Sequence, residues 1–346
     1  LNLSYQHGIF PLIYNALKEY KNSLPENIFF KLKSINMDIV KQNMLMTIEL
    51  IKIMKLLEEN KIEAIAFKGP SLSEMAYGNI SLRQYVDLDI LVKDNSIYET
   101  ALLLNKNSYN TDLPIEHLKN STLIDIGSDF SFFSHQNIHI ELHWNLFRKL
   151  ISESLNKYDI WNNKEVIILN NNKIHTMEKN NYLLYLCVHG SKHLWERIEW
   201  IVDIDKIISN NEIDWEYIIK QSTELKLKKM FLLGLLISIE LFSTKVPTLV
   251  ENEIQNIPSL NTLKTVIFES YNDKYDFQEK NRKEILKKFR IISLLQDNNY
   301  EIIKYYLSSI FKPTHYDMYF VSFPKNIKFL YYFSRPVRLI QSLFKN

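Results

Sequence analysis

Two short runs with opposite chemistry on alternate residues constrain the fold of this chain more than any other feature: VDLDILV at 86–92 and IHIELHW at 138–144. At a period of two, Val86, Leu88, Ile90 and Val92 share one face of the first run, and Asp87, Asp89 and Leu91 share the other. In the second run Ile138, Ile140, Leu142 and Trp144 face one way, while His139, Glu141 and His143 face the other. Each run therefore predicts a strand with one greasy face anchored on helices and one polar face carrying carboxylates.

The rest of the chain has a different texture. Only 6 Gly and 9 Pro in 346 residues leave little punctuation for tight turns and favour long helices. Residues 1–60 are read as helical, with apolar residues three to four apart in MDIVKQNMLMTIELIKIMKLLEEN. Between about 62 and 150 come four β-rich runs, IEAIAF, VDLDILV, STLIDI and IHIELHW, with helical SIYETALLLNKN between the second and third. Helical blocks return from about 178: NYLLYLCVHGSKHLWERIEWIVDIDKII, LKLKKMFLLGLLISIELF, RKEILKKFRIISLL and EIIKYYLSSIF. The pattern predicts an α+β fold, a small mixed sheet embedded in a largely helical chain. Three regions are expected: an N-terminal helical region 1–60 packing on the core, a strand-rich module 61–175, and a helical domain 176–346 forming one wall of a cleft.

Composition excludes some classes. Hydrophobic residues at 46% and charged residues at 24% rule out a disordered chain, and a net charge of +2 gives no global signal for nucleic acid. A single cysteine, Cys187, excludes an intrachain disulfide framework, and its setting in YLLYLCV reads as core rather than nucleophile. The opening LNLSYQHGIF carries no basic start followed by an apolar stretch. The longest greasy run, Met230 to Phe242, is thirteen residues, too short to cross a bilayer. A cytoplasmic protein without stable membrane insertion is expected.

On VDLDILV the two carboxylates sit about 7 Å apart at Cα, given the rise of a strand. They repel, so either the run is an exposed edge strand whose aspartates face water, or a divalent cation between them keeps both ionised. Hard oxygen ligands suit Mg²⁺ or Mn²⁺; zinc through His139 and His143 fits less well. If the two strands pair, Glu141 becomes a third carboxylate over the same site. Upstream, AIAFKGPSLSEMAYG reads as a strand, a Lys68-Gly69 turn and a helix opened by Pro70, with Ser71 in its first turn. Neither a P-loop nor a dinucleotide fingerprint is present. Arg83 is either a salt-bridge partner of the aspartates or a phosphate ligand. In the block 182–208, read as one helix, His189, His193, Arg197 and Trp200 share a face, with Lys192 beside it. That face is either a cleft wall or a surface stripe.

Together these residues resemble the DNA polymerase β-like nucleotidyltransferase superfamily. The closer likeness is to its uncharacterised bacterial and archaeal nucleotidyltransferase family. The match rests on Lys68-Gly69, on Arg83 followed by Asp87-Leu88-Asp89-Ile90, and on Glu141-Leu142-His143-Trp144, continuing into HGSKHLWERIEWIVDIDKII. The resemblance implies that 61–175 is a catalytic domain, and that Asp87 and Asp89 hold Mg²⁺ or Mn²⁺ accompanying a nucleoside triphosphate, with ATP expected. Glu141 is the implied third acid, helping the attacking hydroxyl. Lys68, Gly69, Ser71, Arg83, Lys192 and His193 are the expected nucleotide contacts. One departure is Gly69-Pro70-Ser71, which displaces the usual serine by a position. The implied reaction moves a nucleoside monophosphate to an acceptor hydroxyl and releases pyrophosphate. The acceptor is open among a small molecule, a peptide, tRNA and a partner protein, the last because the likeness extends to antitoxin-type members that modify a toxin protein. A metal-dependent phosphodiesterase or nuclease, and an inactive interaction module, are the alternatives. The tail FLYYFSRPVRLIQSLFKN either covers the core, meets a partner helix or touches an anionic surface.

Overall fold

The computed structural model describes residues 1–119, 124, 127–146, 160–272, 290–313, 317, 320–321, 323 and 325–344. Two short helices, α1 (Asn2–Gln6) and α2 (Phe10–Leu17), lead into the long α3 (Glu26–Glu59). The strand-rich part follows as β1 (Ala64–Phe67), α4 (Gly69–Tyr77), β2 (Asp87–Val92), α5 (Ile97–Lys106), β3 (Asp129–Phe133), β4 (His139–His143), β5 (Lys164–Leu169) and β6 (Asn172–Met177). The remainder is helical: α6 (Lys179–Lys192), α7 (Glu199–Asn210), α8 (Trp215–Glu224), α9 (Lys228–Phe242), α10 (Thr248–Gln255), α11 (Ser259–Asn272), α12 (Asn299–Phe311) and α13 (Tyr331–Phe344). A small mixed sheet does sit inside a largely helical chain.

The sheet order is β3-β4-β2-β1-β6-β5. β2 runs antiparallel to β1 and parallel to β4, so it is an interior strand. Leu88, Ile90, Phe130, Phe132, Ile140 and Leu142 make one buried face, closed by Leu50, Ile53 and Leu57 of α3 and Ala101 and Leu104 of α5. The other face is divided. Ile65, Phe67 and Leu91 join a second core with Leu183, Leu186 and Phe231 of the helical part, and the polar residues of β2 and β4 occupy what is left.

The strand inventory differs from the sequence reading in three places. STLIDI falls almost wholly outside the described residues, and the strand beside β4 is DFSFF, whose Phe130 and Phe132 point into the core. β5 and β6 form a hairpin not anticipated from the sequence. Asn170 and Asn171 both take positive φ at its turn, a conformation that asparagine tolerates. Val86 lies outside β2 and is 64% exposed, so the buried face begins at Leu88.

The block 182–208 is two helices rather than one. α6 stops at Lys192, and Leu194 and Trp195 take left-handed backbone conformations before α7 begins. The cause is tertiary: Trp195 is fully buried, and a Cβ on Gly190 would fall 2.2 Å from its ring. The fully buried Cys187 packs beside Gly234, in keeping with a core cysteine. In α13 the charged side faces inward. Arg335 and Arg338 pair with the buried Asp317, while Phe333, Val337 and Ile340 face solvent; Lys345 lies outside the described residues. Among the described residues no helix is long and apolar enough to cross a membrane.

Candidate active site

The parallel pairing of β2 and β4 sets the site. Its register puts Asp87 beside His139, Asp89 beside Glu141 and Leu91 beside His143. Side chains directly across a ladder share a face, so the carboxylates predicted for two separate runs meet on one surface. Asp87 and Glu141 line a cleft of about 370 Å³ together with Lys68, Tyr185, His189 and Trp200, and Asp89 is buried beside them in the ladder.

Asp89 is 1% exposed, and its Oδ1 accepts from Lys68 Nζ at 2.9 Å and pairs with His143 Nε2 at 2.9 Å. Burial alone pushes its carboxyl up, but Lys68 and His143 outweigh that and hold it down at about 2. Burial pushes the His143 imidazole down, yet its bonds to Asp89 and Glu141 raise it to about 9. Asp87 is half-buried, and burial together with the Asp89 charge raises its carboxyl above the ordinary range. Two neighbouring aspartates are thus tuned in opposite directions, Asp89 by the cations bonded to it and Asp87 by burial and the Asp89 charge.

A divalent cation is tested here by the donors themselves. Asp89 Oδ2 is buried without a hydrogen-bond partner, an acceptor that a cation would satisfy. Among the described residues, ligand atoms of Asp87, His139 and Glu141 lie within 4.8 Å of one another, as do those of Asp89, Glu141 and His143. Glu141 belongs to both groups, while the two histidines fall in different ones, against a His-pair zinc site. The oxygen-rich set fits Mg²⁺ or Mn²⁺.

The Lys68-Gly69 turn joins β1 to α4. Lys68 has φ 52°, a strained value for a side-chain-bearing residue, and the Tyr182 hydroxyl accepts from its backbone N–H. Gly69 has φ +41°, and a Cβ there would approach the Asp87 carbonyl oxygen to 3.3 Å. The glycine therefore lets the turn lie against β2. Gly69→Ala should cost about 1–2 kcal/mol from the left-handed conformation alone, read as a lowered urea midpoint. Ser71 is brought to the turn but not to the cleft. It is fully buried, donating to the Lys68 carbonyl at 2.9 Å, with Tyr182 Oη 3.2 Å away.

Arg83 reaches neither aspartate of β2. Its Nε and Nη2 fork onto Asp203 of α7 at 2.9 and 3.0 Å, and Tyr77 Oη donates to the same carboxylate at 2.7 Å. Lys192 and His193 line the cleft wall, as do Arg197 and Trp200, despite the break in the helix.

The sequence profile of a family described as "Uncharacterised nucleotidyltransferase" matches residues 1–243. The chain belongs to that nucleotidyltransferase family. Its match covers the whole carboxylate cluster and the helices that face it, so general nucleotidyltransferase-like activity with a candidate metal site follows. No curated protein matches the chain. Five solved chains are similar, among them lincosamide antibiotic adenylyltransferase LnuA with lincomycin bound, at 18% identity and a TM-score of 0.35, covering 47% of this chain and 96% of that one. Another is an antigenic nucleotidyltransferase-like protein from Paracoccidioides brasiliensis, at 14% identity and a TM-score of 0.34, covering 63% and 91%.

Two acids of the cleft region escaped the sequence reading as site residues, Asp203 and Glu199. Glu199 is 4% exposed, bonded to Arg197 at 3.0 Å, and its backbone N–H donates to the His7 carbonyl. Burial raises its carboxyl from 4.5 to about 7, even with Arg83 and Arg197 nearby. A raised folded value means the Glu199 contribution to stability is complete below pH 4.5 and is lost as pH rises through about 7. Glu199→Gln should therefore raise the melting temperature at pH 8 and leave it unchanged near pH 4.5.

Proposed function

We propose that this family member is a Mg²⁺- or Mn²⁺-dependent enzyme that moves a nucleoside monophosphate from a triphosphate to an acceptor hydroxyl. The observation that carries the reading is the β2–β4 register, which sets Asp89, with its unpaired buried Oδ2, against Glu141. Asp87, Asp89 and Glu141 are the residues that would hold the cation. When bound, the cation supplies neutralisation of phosphate charge and a lowered acceptor pKa.

The chain's own groups then divide the work. Gly69 holds the start of α4 against β2, and the N–H groups and dipole of that helix start would favour the phosphates. Lys68 keeps Asp89 ionised, and His143 holds the same oxygen from the other side. Glu141, with 27% of its side chain exposed, is the carboxylate open to an acceptor and takes up the hydroxyl proton. Lys192 and His193, which also line the cleft, would contact the nucleotide. In this reading Ser71 holds the turn rather than a phosphate, and Arg83 fixes the helical wall through Asp203.

The test uses ATP labelled separately at the α- and γ-phosphates, with Mg²⁺ and a pool of alcohols, peptides and tRNA as acceptors. The α label should join an acceptor, the γ label should leave as pyrophosphate, and EDTA should stop both. Transfer of the γ label, or acceptor-independent release of inorganic phosphate, would place the protein among kinases or hydrolases instead.

A further inference from the structure

The cleft is also lined by a cluster of rings whose part in nucleotide binding the transfer chemistry does not specify. Tyr185, His189 and His193 stand one turn apart at the end of α6, and Trp200 returns beside them in the first turn of α7. His189 stacks on Tyr185 with centroids 5.6 Å apart and lies 4.7 Å from His193 and 5.3 Å from Trp200. His193 and Trp200 are 5.4 Å apart. All four line the cleft that holds Asp87 and Glu141, and Trp200 is half-buried, so its neighbours fix the indole while part of it stays open. Burial, with Lys68 and His193 nearby, keeps His189 well below the ordinary histidine range, so the ring at the centre of the cluster is neutral.

The cleft therefore has two chemically distinct ends. At one, Lys68 lines the cleft with Asp87 and Glu141, where the proposed function seats the triphosphate. At the other, two turns along α6 from Tyr185 and about 12 Å away by helical rise, lie His193 and Trp200. A phosphate end and a flat ring seat separated in this way match a nucleoside phosphate, charged at one end and aromatic at the other. Stacking on an indole needs only the π-face that every base has. We propose that Trp200, positioned by His189 and His193, is the stacking seat of the nucleobase. This rests on the reading of the cleft as a nucleotide site.

The test is calorimetric binding, with Mg²⁺ present, of ATP and of inorganic tripolyphosphate, which has the charges but no base. Trp200→Ala should weaken ATP binding by about tenfold or more, from the energetics of base stacking on aromatic side chains, and leave tripolyphosphate binding within about twofold. Trp200→Phe should recover most of the ATP affinity, which a merely structural role for the indole would not explain. Circular dichroism checks that both variants fold. Unchanged ATP binding in Trp200→Ala, or an equal loss for ATP and tripolyphosphate, overturns the base seat while leaving the nucleotide site standing. Failure of the unmodified protein to bind either compound removes the nucleotide site and the base seat together.

Discussion

Asp87→Asn should reduce nucleotide transfer by at least about 100-fold, beyond the 10–100-fold range typical of losing an outer-shell partner of a metal, and should not lower thermal stability. Asp87 carries a carboxyl raised by burial and by Asp89, so its charge opposes folding when no cation is bound. The neutral isostere removes that repulsion. Asp89→Asn should lose activity as well, but at a structural cost. Lys68 and His143 are both bonded to Asp89 Oδ1 in a buried setting, and removing one partner of a buried ion pair typically costs about 3–5 kcal/mol. Urea denaturation in EDTA, run beside a pyrophosphate assay, separates the two variants. Equal destabilisation of both would mean that the opposite tuning of the two aspartates is not real.

Asp203→Asn should destabilise the protein by about 3–5 kcal/mol, the largest effect expected from a residue outside the carboxylate cluster. Asp203 is fully buried and takes the Arg83 fork together with the Tyr77 hydroxyl. Without its charge, a buried guanidinium is left uncompensated. Arg83→Met alone should cost a similar amount, but the double variant Arg83→Met with Asp203→Leu should recover much of the loss, because neither charge is then stranded. A double-mutant cycle in urea reads the coupling. Additive losses would show that the two residues do not act as a pair.

Much of the catalytic sheet was legible because its signals are local. Alternation in seven residues is enough to mark β2 and β4, and the Lys68-Gly69-Pro70 sequence marks a strand-to-helix turn without any distant information. The pairing that brings Glu141 to Asp89 needed only one added assumption, that the two strands are neighbours. DFSFF was overlooked because the adjacent Phe132 and Phe133 blur its alternation, and the β5–β6 hairpin because its asparagine turn lacks the usual glycine. The rest depended on distant partners. Nothing near Arg83 names Asp203, which lies 120 residues away. The break between α6 and α7 has no proline, and its cause is the burial of Trp195 against Gly190. Even so, His189, His193, Arg197 and Trp200 converge on the cleft, because the irregular segment between the helices returns the chain to the same wall.

The central claim is that Asp87, Asp89 and Glu141 together hold a divalent cation. Anomalous diffraction from crystals grown with Mn²⁺ and a non-hydrolysable ATP analogue tests it most directly. The expected result is a manganese peak bounded by the three carboxylates, with the analogue's phosphates beside Gly69. A peak elsewhere, or a nucleotide bound away from these residues with no peak among them, would contradict it.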